Sequence, residues 1–222
     1  MAVASLTYAI GDIQGSLHSL RALIERCRRH ASTRAMTLVF LGDYIDRGPD
    51  SAGVIGLIME LQAELGERLI PLKGNHEAMA LDVIDGKAEA EFWLSQGGGQ
   101  TLRSYGVTSA EALPRDHVAW LRSLRASYDD GRRFFVHAGI DPNRPLAAQD
   151  EHDLIWIREP FLSDRRDHGR LIVHGHTPLE TATPDLRDNR LNIDTAAVYG
   201  GALTAAVFND TQTNPVAFLQ AD

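Results

Sequence analysis

Five short segments carry side chains whose types and spacing could bind metal ions. Their carboxylate, carboxamide and imidazole groups are donors for divalent cations, and none of the segments contains a thiolate. Gly11–Gly15 alone would be weak evidence, because aspartate is common in glycine turns, and a lone buried histidine is usually a core residue. The ordered series indicates one shared site. The segments are Gly11-Asp12-Ile13-Gln14-Gly15, Gly42-Asp43-Tyr44-Ile45-Asp46-Arg47-Gly48, Gly74-Asn75-His76-Glu77, His137-Ala138-Gly139 and His174-Gly175-His176-Thr177-Pro178.

Alternating apolar and amphipathic stretches must position these side chains in the first half of the chain. Residues 7–10, 36–41 and 68–72 are apolar runs typical of buried strands. Residues 17–27 and 54–65 instead have the spacing of amphipathic helices. This alternation predicts an α/β core.

The second half of the chain has the pattern of a β-rich region. Strands are predicted at residues 132–136, 170–174, 191–193, 202–208 and 216–219, and Asp130-Gly131 has the composition of a hairpin turn. We expect these strands to form a second sheet. Since no repeat, low-complexity tract or linker interrupts the chain, residues 1–222 are predicted to form one domain.

The candidate ligands follow the predicted strands. Asp12, Asp43, Asn75 and His137 come one to four residues after a strand-like run, and His176 follows the run that ends at position 174. Side chains at strand ends of an α/β sheet converge while the backbone remains rigid. The pattern therefore predicts that five strand ends direct oxygen and imidazole donors to one place.

Composition and charge exclude several classes of function. The chain has 222 residues, 44% of them hydrophobic, and a net charge of −8, which argues against binding a nucleic acid polymer. Its single cysteine, Cys27, excludes an intramolecular disulfide. Neither a signal peptide at residues 1–8 nor a membrane span is predicted, so we expect a cytoplasmic protein, either a monomer or a small homo-oligomer.

The motifs GDYIDRG, GNHE and HGHTP resemble those of the calcineurin-like metallophosphoesterases. Within that superfamily the chain resembles the phosphoprotein phosphatase branch, which contains the bacterial serine/threonine protein phosphatases. The resemblance extends from Gly11 to about Thr204, and Trp156-Ile157-Arg158-Glu159 resembles a further segment of the bacterial members. It implies two β-sheets packed face to face and flanked by helices, with the site at the strand ends.

The resemblance also assigns metal ligands. It makes Asp12 a ligand of the first metal, Asp43 a bridge, and Asn75, His137 and His176 ligands of the second metal. Two divalent ions are expected, with Mn²⁺ favoured and Fe, Zn²⁺ or Mg²⁺ as alternatives. Such a pair would lower the pKa of a bridging water, so that hydroxide attacks phosphorus in line.

Further residues are assigned catalytic and substrate-binding roles by the same resemblance. Arg47 and Arg158, together with Asn75, would bind the phosphoryl oxygens. His76 matches the general acid that protonates the leaving group, with Asp46 hydrogen-bonded to it. For Glu77, a supporting role at the metal centre and a role as a helix-start acid are both open.

Gln14 departs from the family pattern, because most phosphoprotein phosphatases have at this position a histidine that binds the first metal. A carboxamide oxygen is a poorer donor than imidazole for borderline cations. We therefore predict a weaker first site that favours harder ions such as Mn²⁺ or Mg²⁺. Whether glutamine is the natural residue here is a question that the sequence leaves open.

Three functions remain under consideration. The favoured one is a metal-dependent phosphoric monoester hydrolase acting on phosphoserine or phosphothreonine, with phosphotyrosine and small phosphoesters as further substrates. Gln14 also resembles some symmetrical dinucleoside tetraphosphate hydrolases, which is the first alternative. The second is a degenerate phosphatase that binds phosphorylated partners without turnover, although such a protein has no need of His76 as an acid.

Overall fold

The computed structural model describes residues 5–222. Part of the N-terminal segment in which no signal peptide is predicted, residues 1–4, therefore lies outside the described residues. The strands are β1 (Ser5–Ile10), β2 (Ala35–Phe40), β3 (Leu69–Pro71), β4 (Ser127–Asp129), β5 (Arg133–Val136), β6 (Leu171–His174), β7 (Asp185–Leu186), β8 (Arg190–Asn192), β9 (Leu203–Asn209) and β10 (Ala217–Ala221). The helices are α1 (Leu17–Ala31), α2 (Ser51–Leu65), α3 (Asn75–Ile84), α4 (Ala90–Trp93), α5 (Gly99–Tyr105), α6 (Arg115–Arg122) and α7 (Glu151–Trp156). No helix among residues 5–222 is both long and apolar enough to cross a membrane.

The ten strands form two five-stranded mixed sheets. The first has the order β10-β9-β1-β2-β3, in which β1, β2 and β3 are parallel and β9 runs antiparallel to β1. The second has the order β4-β5-β6-β8-β7, with β5, β6 and β8 parallel. Parallel strands of this kind are buried on both faces, which explains their continuous apolar runs.

Alternate residues of each central strand face different layers. In β1, Ala9 belongs to the apolar cluster between the sheets, whereas Tyr8 belongs to the cluster that contains residues of α1 and α2. In β5, Phe135 joins the cluster between the sheets, and Phe134 packs with residues of α7. The two sheets therefore pack face to face with helices on the outer faces, as the family resemblance implied.

One expectation from the sequence was wrong. The predicted strands at residues 202–208 and 216–219 do form, as β9 and β10, but they extend the first sheet instead of the second. Apolar patterning predicts that a strand is buried without specifying its neighbour, and β9 reaches β1 by a connection that spans most of the chain. The short strand β7 was not predicted.

Candidate metal centre and active site

Donor atoms of four candidate ligands meet at the carboxyl ends of the strands. Nε2 of His137 lies 2.9 Å from Oδ1 of Asn75, 3.2 Å from Nδ1 of His176 and 3.4 Å from Oδ1 of Asp43. Nδ1 of His176 is also 2.9 Å from Oδ1 of Asn75. Within residues 5–222, Asp43, His137 and His176 are the only three His, Cys, Asp or Glu residues whose donor atoms lie within 4.8 Å of one another.

The hydrogen bonds of His137 show why these atoms fit a cation. Nδ1 of His137 lies 2.8 Å from the carbonyl oxygen of Leu41, which can only accept, so Nδ1 carries the proton. Burial lowers the pKa of His137 and favours the neutral ring, whose Nε2 then presents a lone pair to the oxygen of Asn75. Two acceptors 2.9 Å apart repel each other unless a positive charge lies beside them. The donor set therefore suits a divalent metal ion.

The ligands expected for the first metal are less complete. Both carboxylate oxygens of Asp12 lie 3.2 Å from the backbone nitrogen of His176. Gln14 directs its amide nitrogen toward Asp43, donating to Oδ2 over 3.3 Å. Its amide oxygen would reach a cation there only after the carboxamide turned over. The geometry is consistent with a weaker first site, which stays a prediction.

Asp194 is a buried carboxylate that the sequence reasoning missed. Burial and the neighbouring Asp43 raise the pKa of Asp194 to about 6. Burial, followed by the charges of Asp194 and Asp43, raises the pKa of Asp12 well above its usual value. Neither Asp12 nor Asp194 has an ion-pair partner in the part of the chain that the structure describes, and a bound cation would offset their charge. Asp194 follows the predicted strand 191–193, so the rule that identified the other residues would have found it.

The backbone at the site has an unusual conformation. Five non-glycine residues of the site lie in the left-handed region, with φ values of 44° to 74°. This region is uncommon for residues with a side chain, and its cost is tolerated where the surrounding structure requires it, often at functional sites. The five residues are Gln14, Asp43, Asp46, Arg47 and His176.

Glu77 fixes the loop that carries Asp43. Its Oε2 accepts hydrogen bonds from the backbone nitrogens of Asp43 and Gly74, both over 2.9 Å, and its Oε1 accepts one from Tyr44 over 2.8 Å. The bond to Gly74 is also the helix-start interaction of α3. Burial and the charge of Asp43 raise the pKa of Glu77 to about 7. Glu77 therefore acts at the start of α3 and also holds the loop of Asp43, and a role at the metal centre stays a prediction.

His76 and Asp46 form a buried hydrogen-bonded pair beside the ligands. Nδ1 of His76 lies 2.6 Å from Oδ2 of Asp46, and Nε2 lies 3.8 Å from Oδ2 of Asp43. Burial alone would lower the pKa of His76, but the charge of Asp43 and the hydrogen bond to Asp46 outweigh it and raise the pKa. Trp93 and Thr101 donate to Asp46 over 2.9 Å and 2.7 Å. No local pattern predicts that Trp93 and Thr101 reach the site, since they come from separate helices.

The two candidate phosphate-binding arginines have free guanidinium groups. Neither Arg47 nor Arg158 makes a side-chain hydrogen bond or salt bridge within residues 5–222. Arg47 lies over the ring of Tyr199, with 5.7 Å between its Cζ and the ring centroid. Arg158 is exposed next to Trp156, whose ring meets that of His176 edge-on with 6.2 Å between centroids. Both side chains can therefore accept an anionic ligand.

His174 lies two residues from His176 but has different partners. Its Nε2 is 3.3 Å from Nη1 of Arg190, and its ring meets that of Phe161 with 5.0 Å between centroids. Burial and the positive charge of Arg190 lower the pKa of His174 to about 3. We interpret it as a core residue that supports strand β6.

Comparisons with known proteins agree with this arrangement. The profile of the calcineurin-like phosphoesterase family matches residues 6–205. Serine/threonine-protein phosphatase 1 of Salmonella typhimurium is 30% identical over 214 residues, which cover 90% of this chain and 90% of that protein. A symmetrical bis(5'-nucleosyl)-tetraphosphatase of Nitrosospira multiformis is 32% identical over 185 residues, covering 78% of this chain and 61% of that protein.

Solved structures share the fold. The crystal structure of a protein described as a candidate diadenosine tetraphosphatase matches all of this chain and 95% of its own, with a TM-score of 0.71 and 24% identity. A serine/threonine phosphatase of Saccharomyces cerevisiae matches all of this chain and 81% of its own, with a TM-score of 0.65 and 15% identity. Together with the profile match and the relatives, these findings show that the chain is an enzyme of the calcineurin-like phosphoesterase family.

Proposed function

We propose that this enzyme hydrolyses phosphoserine and phosphothreonine esters at a centre of two divalent cations, with Mn²⁺ favoured. The observation that carries the proposal is the His76–Asp46 pair, joined over 2.6 Å beside the candidate ligands. An alkoxide is a poor leaving group and needs a proton as it departs, whereas a phosphate leaving group needs one far less. A retained acid therefore favours an alkyl phosphoester as substrate.

The residues proposed to hold the second metal are those whose donor atoms face one another, and those proposed for the first metal lie beside them. Asn75, His137 and His176 would bind the second ion, Asp12 and Gln14 the first, and Asp43 would bridge them. Bound there, the two ions would lower the pKa of a water molecule and polarise the phosphoryl group. Buried Asp194 would add negative charge beside the first ion.

The remaining steps belong to side chains of this chain. Arg47 and Arg158, whose guanidinium groups have no other hydrogen-bond partner within residues 5–222, would bind the phosphoryl oxygens together with the Asn75 carboxamide. Water oxygen forms a bond to phosphorus while the bond from phosphorus to the alkyl oxygen breaks. His76 donates its proton to that oxygen, so the products are an alcohol and inorganic phosphate. Asp46 holds the imidazole in place.

Symmetrical hydrolysis of dinucleoside tetraphosphates is the second candidate function. It is favoured by the similarity to the protein of Nitrosospira multiformis that carries this name, at 32% identity. Gln14 resembles the residue found in some enzymes of that kind. Asp46 before Arg47, Glu77 and the His-Thr-Pro sequence after Gly175 favour the protein phosphatases instead.

One substrate panel separates these functions. Purified protein, stripped with EDTA and reloaded with Mn²⁺, is assayed on a phosphoserine peptide, p-nitrophenyl phosphate and diadenosine tetraphosphate. We expect turnover of the peptide and the aryl ester that is lost with EDTA and restored by Mn²⁺. Turnover of the dinucleotide alone would support the second candidate. Full metal loading without turnover of any substrate would indicate a phosphate-binding protein.

A further inference from the structure

A cleft of about 450 Å³ lies against strand β8 of the second sheet. Its other walls come from the 3₁₀ turn Phe161–Ser163 and from the segment that directly follows His176. None of the candidate metal ligands lines it, and neither Arg47 nor Arg158 does. We call it the Arg190 cleft, after the arginine in its wall. Its polar groups are therefore separate from those of the proposed metal centre.

Arg190 is a buried cation whose hydrogen bonding is incomplete. It is 3% exposed, and its Nη2 lies 3.2 Å from Oδ2 of Asp185 and donates to the carbonyl oxygen of Leu162 over 3.3 Å. Its Nε is also buried but has no hydrogen-bond partner within residues 5–222. Since buried donors in native proteins are nearly always paired, the Nε of Arg190 calls for a partner from outside the chain.

Thr177 supplies a second unpaired atom in the same cleft. Its Oγ1 is buried and has no partner in the described part of the chain. The segment is held in place by Asn192, whose Nδ2 donates to the carbonyl oxygen of Thr177 over 2.8 Å. Four buried side-chain atoms within residues 5–222 lack a partner, and two of them belong to residues that line this cleft. A guanidinium donor and a hydroxyl donor without partners point to one ligand rich in acceptors.

Positive charge predominates in the lining, although the whole chain has a net charge of −8. The charged residues are three arginines and two carboxylates, namely Arg165, Arg187, Arg190, Glu159 and Asp185. Oδ2 of Asp185 serves two of the arginines, at 2.9 Å from Nε of Arg187 and 3.2 Å from Nη2 of Arg190. Exposed Arg165 has no ion-pair partner within residues 5–222. Burial and the charge of Arg187 lower the pKa of Arg190, which an added anion would offset.

We propose that the Arg190 cleft is a second oxyanion site, which binds a phosphate group through Nε of Arg190 and Oγ1 of Thr177. Guanidinium groups form strong, charge-assisted hydrogen bonds with phosphate, whose oxygens can accept from several donors at once. The three arginines would repel a cation, and an apolar ligand would leave both donors unpaired. The proposal does not depend on the proposed function, because it uses none of the candidate catalytic residues.

The test is a calorimetric titration with inorganic phosphate of the Mn²⁺-loaded protein and of the protein stripped with EDTA. Thr177→Val removes the hydroxyl and keeps the shape of the side chain. Arg165→Gln removes an exposed charge from the cleft, so that neither variant disturbs the core. Arg29→Gln, at an exposed position of helix α1, removes the same charge away from the second sheet and is the matched control.

We expect phosphate binding to the cleft to persist after EDTA treatment, whereas binding to the metal centre is lost. Thr177→Val should weaken the metal-independent binding roughly 10–150-fold, the range for a hydrogen bond to a charged group. Arg165→Gln should weaken it roughly 2–5-fold, because an exposed charge contributes less, and Arg29→Gln should leave it unchanged. Phosphate binding that disappears entirely with EDTA would overturn the proposal. Metal-independent binding that Thr177→Val leaves unchanged would do the same.

The phosphate group is either free phosphate or a second phosphoryl group of a peptide substrate, and a further measurement distinguishes these sources. KM is compared for peptides with one and with two phosphoserines. A KM that Arg165→Gln raises for the doubly phosphorylated peptide alone supports a substrate subsite. Weakened phosphate binding with equal effects on both peptides supports a site for free phosphate. Absence of peptide turnover contradicts the proposed function, and the phosphate titration alone then decides about the cleft.

Discussion

Replacing His76 with asparagine isolates the proton that His76 is proposed to deliver. Nδ1 of His76 lies 2.6 Å from Oδ2 of Asp46, and an asparagine amide at the same place can donate to that oxygen without acting as an acid. The variant therefore keeps a partner for the buried carboxylate. Loss of a positioned general acid lowers kcat roughly 10²–10⁴-fold, which corresponds to about 2.7–5.4 kcal/mol of activation free energy.

The assay compares two leaving groups on the Mn²⁺-loaded enzyme. On a phosphoserine peptide, whose alkoxide needs the proton, we expect the full loss in kcat. On p-nitrophenyl phosphate, whose phenolate departs as a stable anion, we expect a loss below about tenfold. His30→Asn is the matched control. His30 lies in helix α1, and its Nδ1 also has one hydrogen-bond partner, the hydroxyl of Tyr8 at 2.9 Å. Equal losses on both substrates would refute the acid role.

The pH profile gives the same prediction a second readout. In the metal-free protein, Asp43 and Asp46 outweigh burial and raise the pKa of His76. With Mn²⁺ on Asp43, the hydrogen bond to Asp46 remains to stabilise the protonated ring. Peptide turnover by the wild type should fall as pH rises through that pKa, because the proton donor is lost. His76→Asn should lack this alkaline limb. A limb that persists in the variant would belong to another group.

Three further substitutions test other parts of the structure. Gln14→His should tighten binding of the weaker of two Mn²⁺ ions in calorimetry, and an unchanged titration would contradict the account of the first site. Gly97→Ala should lower the free energy of unfolding, measured in urea, by roughly 1–3 kcal/mol and reduce kcat/KM. The φ angle of Gly97 is 112°, and a Cβ there would lie 2.6 Å from the nitrogen of Arg47. Burial and the charge of Arg190 lower the pKa of His174 to about 3 in the folded protein, whereas an unfolded chain has the ordinary value of ~6.5. Between these two pH values, His174 is protonated in the unfolded chain and neutral in the folded protein. Stability should therefore fall by roughly 2 kcal/mol between pH 7 and pH 5, and His174→Leu should lose that share of the pH dependence.

Much of the site was accessible from the sequence because of one physical regularity. In an α/β sheet the chain leaves each strand at its carboxyl end, so polar residues just after apolar runs are brought together. Asp43, Asn75, His137 and His176 follow this rule, and their donor atoms lie within 2.9–3.4 Å of a neighbour in the cluster. Asp194 obeys it too and was missed because it lacked a matching family motif.

Other features depend on contacts between segments that no local pattern records. Strands β9 and β10 were predicted as strands but assigned to the wrong sheet, because burial of a strand does not determine its neighbour. Trp93 and Thr101 reach Asp46 from distant helices.

The two halves of the proposed metal centre are supported by different contacts. At the proposed second site, hydrogen bonds from neighbouring residues orient two of the ligands. The carbonyl oxygen of Leu41 accepts from His137 over 2.8 Å, and Glu77 accepts from the backbone nitrogen of Asp43 over 2.9 Å. The first site has Asp12 with backbone partners, and Gln14 bonded to the shared carboxylate over 3.3 Å. If the position of Gln14 carries a metal-binding histidine in related enzymes, as the resemblance implies, glutamine there would remove one donor without disturbing the contacts that orient the others. Asp194, whose charge raises the pKa of Asp12, would add negative charge at the proposed first site, and carboxylate oxygens suit a hard cation there.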